Sequence, residues 1–193
     1  MTGTANADGA VADAVLVEAA RRGDLFAWEH LVRRYQEPVY RAAFLIVRDS
    51  ALAEAAAQST FVRAYRALPS YEPGLGLMPW FIRIAAGESR QQRRESGRPR
   101  PRSRPVERMT GPRFPASMVS GLDEAAELTP AQREVVGEAF DRLGEEDRLT
   151  IAARYLFGLS RADAAKALAI ASGLVDEHLR TAVTRLRTRM SGA

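Results

Sequence analysis

Apolar side chains recur along this chain at three- and four-residue steps, and no stretch alternates apolar and polar in the two-residue rhythm of a strand. The pattern predicts helices throughout. Asp13 is placed to cap a short first helix ending at Gly23, and Asp24 to cap the next. Leu25, Trp28, Leu31, Val32 and Tyr35 then share one face. Pro38 lacks an N–H and crowds the preceding turn, so a break or kink is expected before Val39, Tyr40, Ala43, Phe44 and Val47 resume the period. Ser50 is the expected cap of a third long helix carrying Leu52, Phe61, Val62, Tyr65 and Leu68. Pro69 to Pro79, with Gly74 and Gly76, reads as a turn-rich loop. A fourth helix opens on Trp80, Phe81, Ile84 and Ala85, then turns polar through Arg90, Gln91, Gln92, Arg93 and Arg94.

Over residues 95–121 the period disappears among Pro99, Pro101, Pro105, Pro112 and Pro115, with Gly, Ser and Arg between them. Such a segment has too little apolar surface to fold. Helical pattern returns at Thr129-Pro130, a cap followed by proline at the first helical position. Val135, Val136, Ala139, Phe140 and Leu143 form the next apolar face, and further helices are expected over 145–157, 160–168 and 172–190. The expected fold is all-α, with two small helical domains. One spans 13–95, a flexible basic linker spans 96–127, and the second domain spans 128–190.

The last helices come in a telling order. Ser160 caps a short helix that turns Ala164, Ala165 and Leu168 inward, and Ala169-Ile170-Ala171 makes a turn. Ser172 then caps a longer helix with Val175, Leu179, Ala182, Val183, Leu186 and Met190 inward. A short helix, a tight turn and a second capped helix present a recognition helix to the major groove. The same periodicity also suits an ordinary helical hairpin, and the turn lacks the glycine common in such motifs.

Composition narrows the function. With 46% hydrophobic residues in 193, the chain can bury a core. No apolar run reaches the roughly 18 residues of a membrane span. Met1 to Ala12 has neither the basic start nor the apolar stretch of a secretory signal, so the cytoplasm is the expected location. The absence of cysteine excludes disulfides and thiolate metal sites. His30 and His178 stand alone with no neighbour at ligand spacing, so solvated or capping roles are expected and no metal or cofactor. Gly74-Leu75-Gly76 lacks the lysine and spacing of a phosphate loop. No catalytic constellation is present, and an enzyme of nucleic-acid processing has only the basic segment in its favour.

That segment is sharply bounded. Residues 90–113 hold nine arginines against Glu95 and Glu107, a net of +7, whereas 1–89 and 114–193 are slightly acidic. Arg98, Arg100, Arg102, Arg104 and Arg108 interleave with prolines, which suits either a solubilising tether or a strand that tracks phosphates. Lys166 is the single lysine among the 28 Lys and Arg, so the preference for arginine reflects coding composition and carries no functional meaning.

Leu143-Gly144-Glu145-Glu146, Gly158-Leu159-Ser160 and Arg185-Leu186-Arg187 resemble the C-terminal sigma-4 domain of extracytoplasmic-function sigma factors, in the sigma-70 family. Gly23-Asp24, Ala27-Trp28-Glu29 and Leu31-Val32-Arg33-Arg34-Tyr35 resemble the opening of the sigma-2 domain. The run Gln58 to Leu68 resembles its central helix, and Trp80-Phe81-Ile82-Arg83-Ile84-Ala85 its last. The likeness covers residues 13–95 and 128–190, in the family's order.

The resemblance implies a sigma-2 domain that docks on the β′ coiled coil of core RNA polymerase and helps melt and read the −10 box. It implies a sigma-4 domain that sits on the β flap and reads the −35 box, and a possible anti-sigma partner. Polymerase contacts would then come from Glu54, Gln58, Phe61 and Arg63, although Phe61 also fits a core position. Single-strand contacts would come from Arg83, Arg90, Arg93 and Arg94, with Trp80 either stacking on a base or buried. Ser172, Asp176, Glu177, Arg180, Thr181 and Thr184 would face duplex DNA. The sequence departs from the family pattern at Ala55 and Ser59, where acids are usual, and at Gly87 and Gln91, where asparagine and aspartate are usual. It departs again at Asp176 and Glu177, which are usually basic or polar. Ala55, Gln91, Asp176 and Glu177 favour a second reading, a regulatory paralogue that binds polymerase or an anti-sigma factor without initiating transcription.

Overall fold

The computed structural model describes residues 4–97 and 137–190, with side chains outside the description at 4–11, 186, 189 and 190. The described residues are helical, with no strand among them, and they form two compact units.

In the first unit α1 spans Thr4–Arg21, α2 Leu25–Val47, α3 Ser50–Ala67 and α4 Leu77–Glu95. Asp24 caps α2 as expected, its carboxylate accepting from the backbone N–H groups of Phe26 and Ala27 at 2.9 and 3.1 Å. Asp13 does not cap anything. It lies inside α1, where alanines sustain the helix, and its carboxylate accepts from the Tyr35 hydroxyl and from Arg34 on α2. Helix α2 runs unbroken through Pro38. Proline in a helix interior costs about 3 kcal/mol. Here the helix is held on both sides of it, by Leu31 and Tyr35 before and by Val39 and Ala42 to Val47 after, all buried.

The cap of α3 is Asp49, one residue before the expected Ser50, and it accepts from Leu52 N–H at 3.0 Å. Pro69 and Pro73 each open a short 3-10 turn within Leu68–Ser70 and Pro73–Leu75. Helix α4 begins at Leu77, three residues before Trp80, because Pro79 falls in the first turn, where an N–H has no intrahelical partner to lose. The core gathers Val17, Leu31, Val39, Ile46, Leu68, Phe81 and Ile82.

The second unit begins, within the described residues, with a helical stretch over 137–141 that buries Ala139 and Phe140, with Leu143 just beyond it. Helix α5 spans Glu145–Ile151 and passes into a π turn over Ala152–Leu156, which ends before Gly158 at φ 63°. Helix α6 spans Arg161–Leu168 and α7 Ser172–Met190. Ser160 caps α6, its Oγ accepting from Asp163 N–H at 3.1 Å. Ser172 is the first residue of α7, and the carbonyl of Ala171 before it accepts from Leu174 N–H at 3.0 Å. Ala164, Ala165, Val175 and Ala182 are buried, and α5 packs against α7. The expected linker and the Thr129-Pro130 cap, with Val135 and Val136, lie outside the described residues.

Candidate polymerase and nucleic-acid interfaces

Helix α3 buries only small side chains: Ala53, Ala56, Ala57, Thr60 and Ala64. Thr60 satisfies its buried hydroxyl on the Ala56 carbonyl at 2.7 Å. Small residues let α3 lie close to α2 and α4, and this displaces part of the expected face. Val62 is 53% exposed and turns to solvent, whereas Tyr65, although 37% exposed, keeps its ring against Trp28 with centroids 5.2 Å apart. Glu54, Gln58 and Val62 lie four residues apart along that exposed face, which half-buried Ala55 borders. Phe61 sits at its edge in an aromatic cluster, with ring centroids 5.4 Å from Phe81 and 6.4 Å from Trp28. Arg63 turns the other way and pairs with Glu88 of α4 at 2.7 Å. Of the four candidate polymerase contacts, the structure therefore brings Glu54 and Gln58 together and gives Phe61 and Arg63 internal partners. Val62 is the residue sequence reasoning misplaced. The alanine stripe on the opposite face was the signal for it.

Helix α4 is divided in the same way. Trp80 is buried, with ring centroids 4.8 Å from Tyr71 and 5.3 Å from Phe81. Its tilted contacts with those two rings place it in the core of the unit, the buried alternative for this residue. Arg83, Gly87, Arg90 and Arg94 follow one another at four-, three- and four-residue steps and make one line along the helix, with Arg83 and Arg94 exposed and Arg90 half-buried. Arg93 leaves that line and donates to the Ile46 carbonyl at 3.2 Å. Gly87 interrupts the cationic line, and nothing lies within 4 Å of where its Cβ would be. Gln91 donates to Glu95 at 2.8 Å.

The turn-rich segment between α3 and α4 is tied down from α1. Arg21 donates to the Leu68 carbonyl at 3.0 Å and to the Tyr71 carbonyl, pairs with Glu18, and lies over the Tyr71 ring. Burial, and the charge of Asp13 behind it, raise the Tyr71 hydroxyl above its ordinary pKa. Tyr35 is raised further, first by burial and then by its hydrogen bond to Asp13. No local pattern marks the longer-range contacts of Arg21 and Asp13, because those partners lie on other elements.

On the second unit the exposed surface of α7 carries Glu177, Arg180 and Thr184, with Asp176 and Thr181 half-buried. Asp176 accepts from Arg161 at the start of α6, at 2.8 Å. Thr184 donates to the Arg180 carbonyl at 2.8 Å, so its hydroxyl proton is already engaged within the helix. On the inner side Asp147 is buried and pairs with Arg185, with Nδ1 of His178 3.8 Å away. His178 is accordingly neither solvated nor a cap; its side chain is 18% exposed. His30 is exposed. Among the described residues no group of His, Cys, Asp and Glu could hold a metal ion, and no helix is long and apolar enough to cross a membrane.

Two all-α units, the second ending in a short helix, a tight turn and a longer helix, define the class of protein by its architecture. Residues 31–98 match the family model of Sigma-70 region 2. The chain is 31% identical over 153 residues to the ECF RNA polymerase sigma-E factor of Escherichia coli (strain K12), covering 77% of this chain and 78% of that one. It is 29% identical over 166 residues to the RNA polymerase sigma-H factor of Pseudomonas aeruginosa, covering 84% and 86%. Among solved structures it is similar to CnrH in complex with the cytosolic domain of CnrY, with a TM-score of 0.66 and 21% identity, over 94% and 98% of the two chains. It is also similar to the sigma factor RpoE in complex with the anti-sigma factor NepR from Bartonella quintana, with a TM-score of 0.59 and 21% identity over 84% and 96%. These two likenesses concern the fold. The chain belongs to the extracytoplasmic-function family of RNA polymerase sigma factors. Members of that family bind core RNA polymerase and promoter DNA, and they are regulators of transcription initiation, not enzymes.

Proposed function

We propose that this chain acts in the cytoplasm, binds core RNA polymerase and directs it to promoters. The first unit docks on the β′ coiled coil through the exposed face of α3, with Glu54 and Gln58 as its polar contacts and Val62 as its apolar one. The line of Arg83, Arg90 and Arg94 on α4 follows the phosphates of the melted −10 strand. The second unit sits on the β flap and presents Arg180 and Thr181 to the −35 box, with Arg180 suited to guanine O6 and N7. An anti-sigma factor is the expected antagonist.

Kinship with sigma-E carries this reading, because it spans 77% of the chain and so reaches both units. A second reading, polymerase or anti-sigma binding without initiation, is favoured by the exposed Glu177 on α7 and by Gly87 within the arginine line. Binding of the full-length chain to core polymerase tests the shared first step. Gln58→Ala combined with Val62→Asp should weaken that complex about tenfold or more, as loss of central interface residues does, and should leave the melting temperature unchanged because both side chains are exposed. A complex as tight as wild type would remove α3 as the docking surface.

A further inference from the structure

We propose that Arg161 contacts the DNA backbone and that Asp176 is the residue that positions it. The inference rests on the duplex-binding reading of the second unit and adds to it a contact from outside the recognition helix.

In sequence Asp176 is a carboxylate turned toward DNA, a charge that phosphates repel. The fold gives it a partner. Its Oδ2 accepts from Nη1 of Arg161 at 2.8 Å, across fifteen residues of chain. Arg161 is the first residue of α6, and Asp176 belongs to the first turns of α7. Both remain open to solvent, with side chains 60% and 48% exposed. A guanidinium offers five N–H donors in a rigid fork, and this bond uses one, leaving enough to grip a phosphate by two oxygens. The location suits that role, because the first helix of a helix-turn-helix crosses the DNA backbone while the second enters the groove. An arginine already held by a carboxylate also has less freedom to lose on binding. The bond cancels the charge of Asp176, so the carboxylate that looked like a defect in DNA binding becomes a support for it.

The test uses the full-length chain and a labelled mixed-sequence duplex of about two helical turns, with affinity followed across a salt series. A phosphate contact is indifferent to sequence, so no promoter need be known. The basic segment 90–113 contributes alike to every variant. Arg161→Ala should weaken binding several-fold at low salt and reduce the salt slope by about one. Asp176→Asn loses the charge and keeps the acceptor, whereas Asp176→Ala loses both. Asp176→Asn should therefore bind several-fold more tightly than Asp176→Ala, and the gap should vanish when Arg161 is alanine. Melting temperatures of all variants should agree closely, since an exposed pair adds little stability. Equal affinities of the two Asp176 variants, with Arg161 intact, would overturn the positioning role. Unchanged affinity and slope for Arg161→Ala would overturn the contact. A wild-type chain that fails to bind the duplex at low salt would overturn the duplex-binding reading itself, and the proposal with it.

Discussion

Asp13 shows how one side chain can tie an element to the body of the molecule. Its carboxylate takes hydrogen bonds from Tyr35 and Arg34, and it stands behind Tyr71, whose carbonyl Arg21 holds. The Tyr35 hydroxyl is kept neutral by burial first and by Asp13 second, so its pKa in the fold lies above its ordinary value near 10. The sign of the pH dependence follows. Stability from this group is complete below pH 10 and is lost as pH rises from there toward the folded value. Tyr35→Phe removes the hydroxyl, should cost about 1–2 kcal/mol at neutral pH, and should flatten the alkaline fall. Urea denaturation at neutral pH and at pH above 10 would check both; a variant that declines with pH as steeply as wild type would assign the alkaline loss elsewhere. At the same scale, Ala169 adopts φ 56° in the helix-turn-helix turn. Glycine holds that conformation without strain, so alanine there is a local rule the fold overrides.

At the scale of elements, capping and periodicity made most helices legible. Asp24, Ser160 and the spans of α6 and α7 stand where the sequence puts them. The errors share a cause. The chemistry of Pro38 and Val62 alone misplaces them, because their places are set by neighbours: packing carries α2 through Pro38, and a stripe of alanines takes the inside of α3. The candidate site was legible as residue types and as helix faces. The bonds Arg63–Glu88, Arg93–Ile46 and Arg161–Asp176 were not, because each joins residues at least 15 apart in the chain. These bonds make α4 testable. Arg83→Ala with Arg94→Ala should weaken binding of the holoenzyme to a melted promoter strand and reduce its salt slope by about 1.4, with no change in melting temperature. Arg93→Ala should instead lower stability by about 1 kcal/mol through the lost bond to Ile46. The reverse assignment of effects would contradict this division of the arginines. Gly87 offers a third measurement. It is exposed, mid-helix and free of neighbours for a Cβ, so Gly87→Ala should stabilise the chain by about 1 kcal/mol; a loss on thermal unfolding would reveal a close approach at that position.

At the scale of the whole molecule, the charge is concentrated where it is useful to a two-unit polymerase factor. Residues 90–113 hold a net +7, while the cations of the segments on either side are slightly outnumbered by acids. Neither flanking segment has a net positive charge of its own, so the basic segment adds its attraction for phosphates to the contacts of the full-length chain. The central claim is about the assembled holoenzyme. Its most direct test is run-off transcription by core polymerase on fragments of the source genome, with and without the full-length chain. The account predicts discrete transcripts that appear only with the chain and that weaken when Arg180 is replaced by alanine. A chain that forms the complex with core polymerase yet yields no chain-dependent start on any fragment would contradict it and establish the regulatory reading.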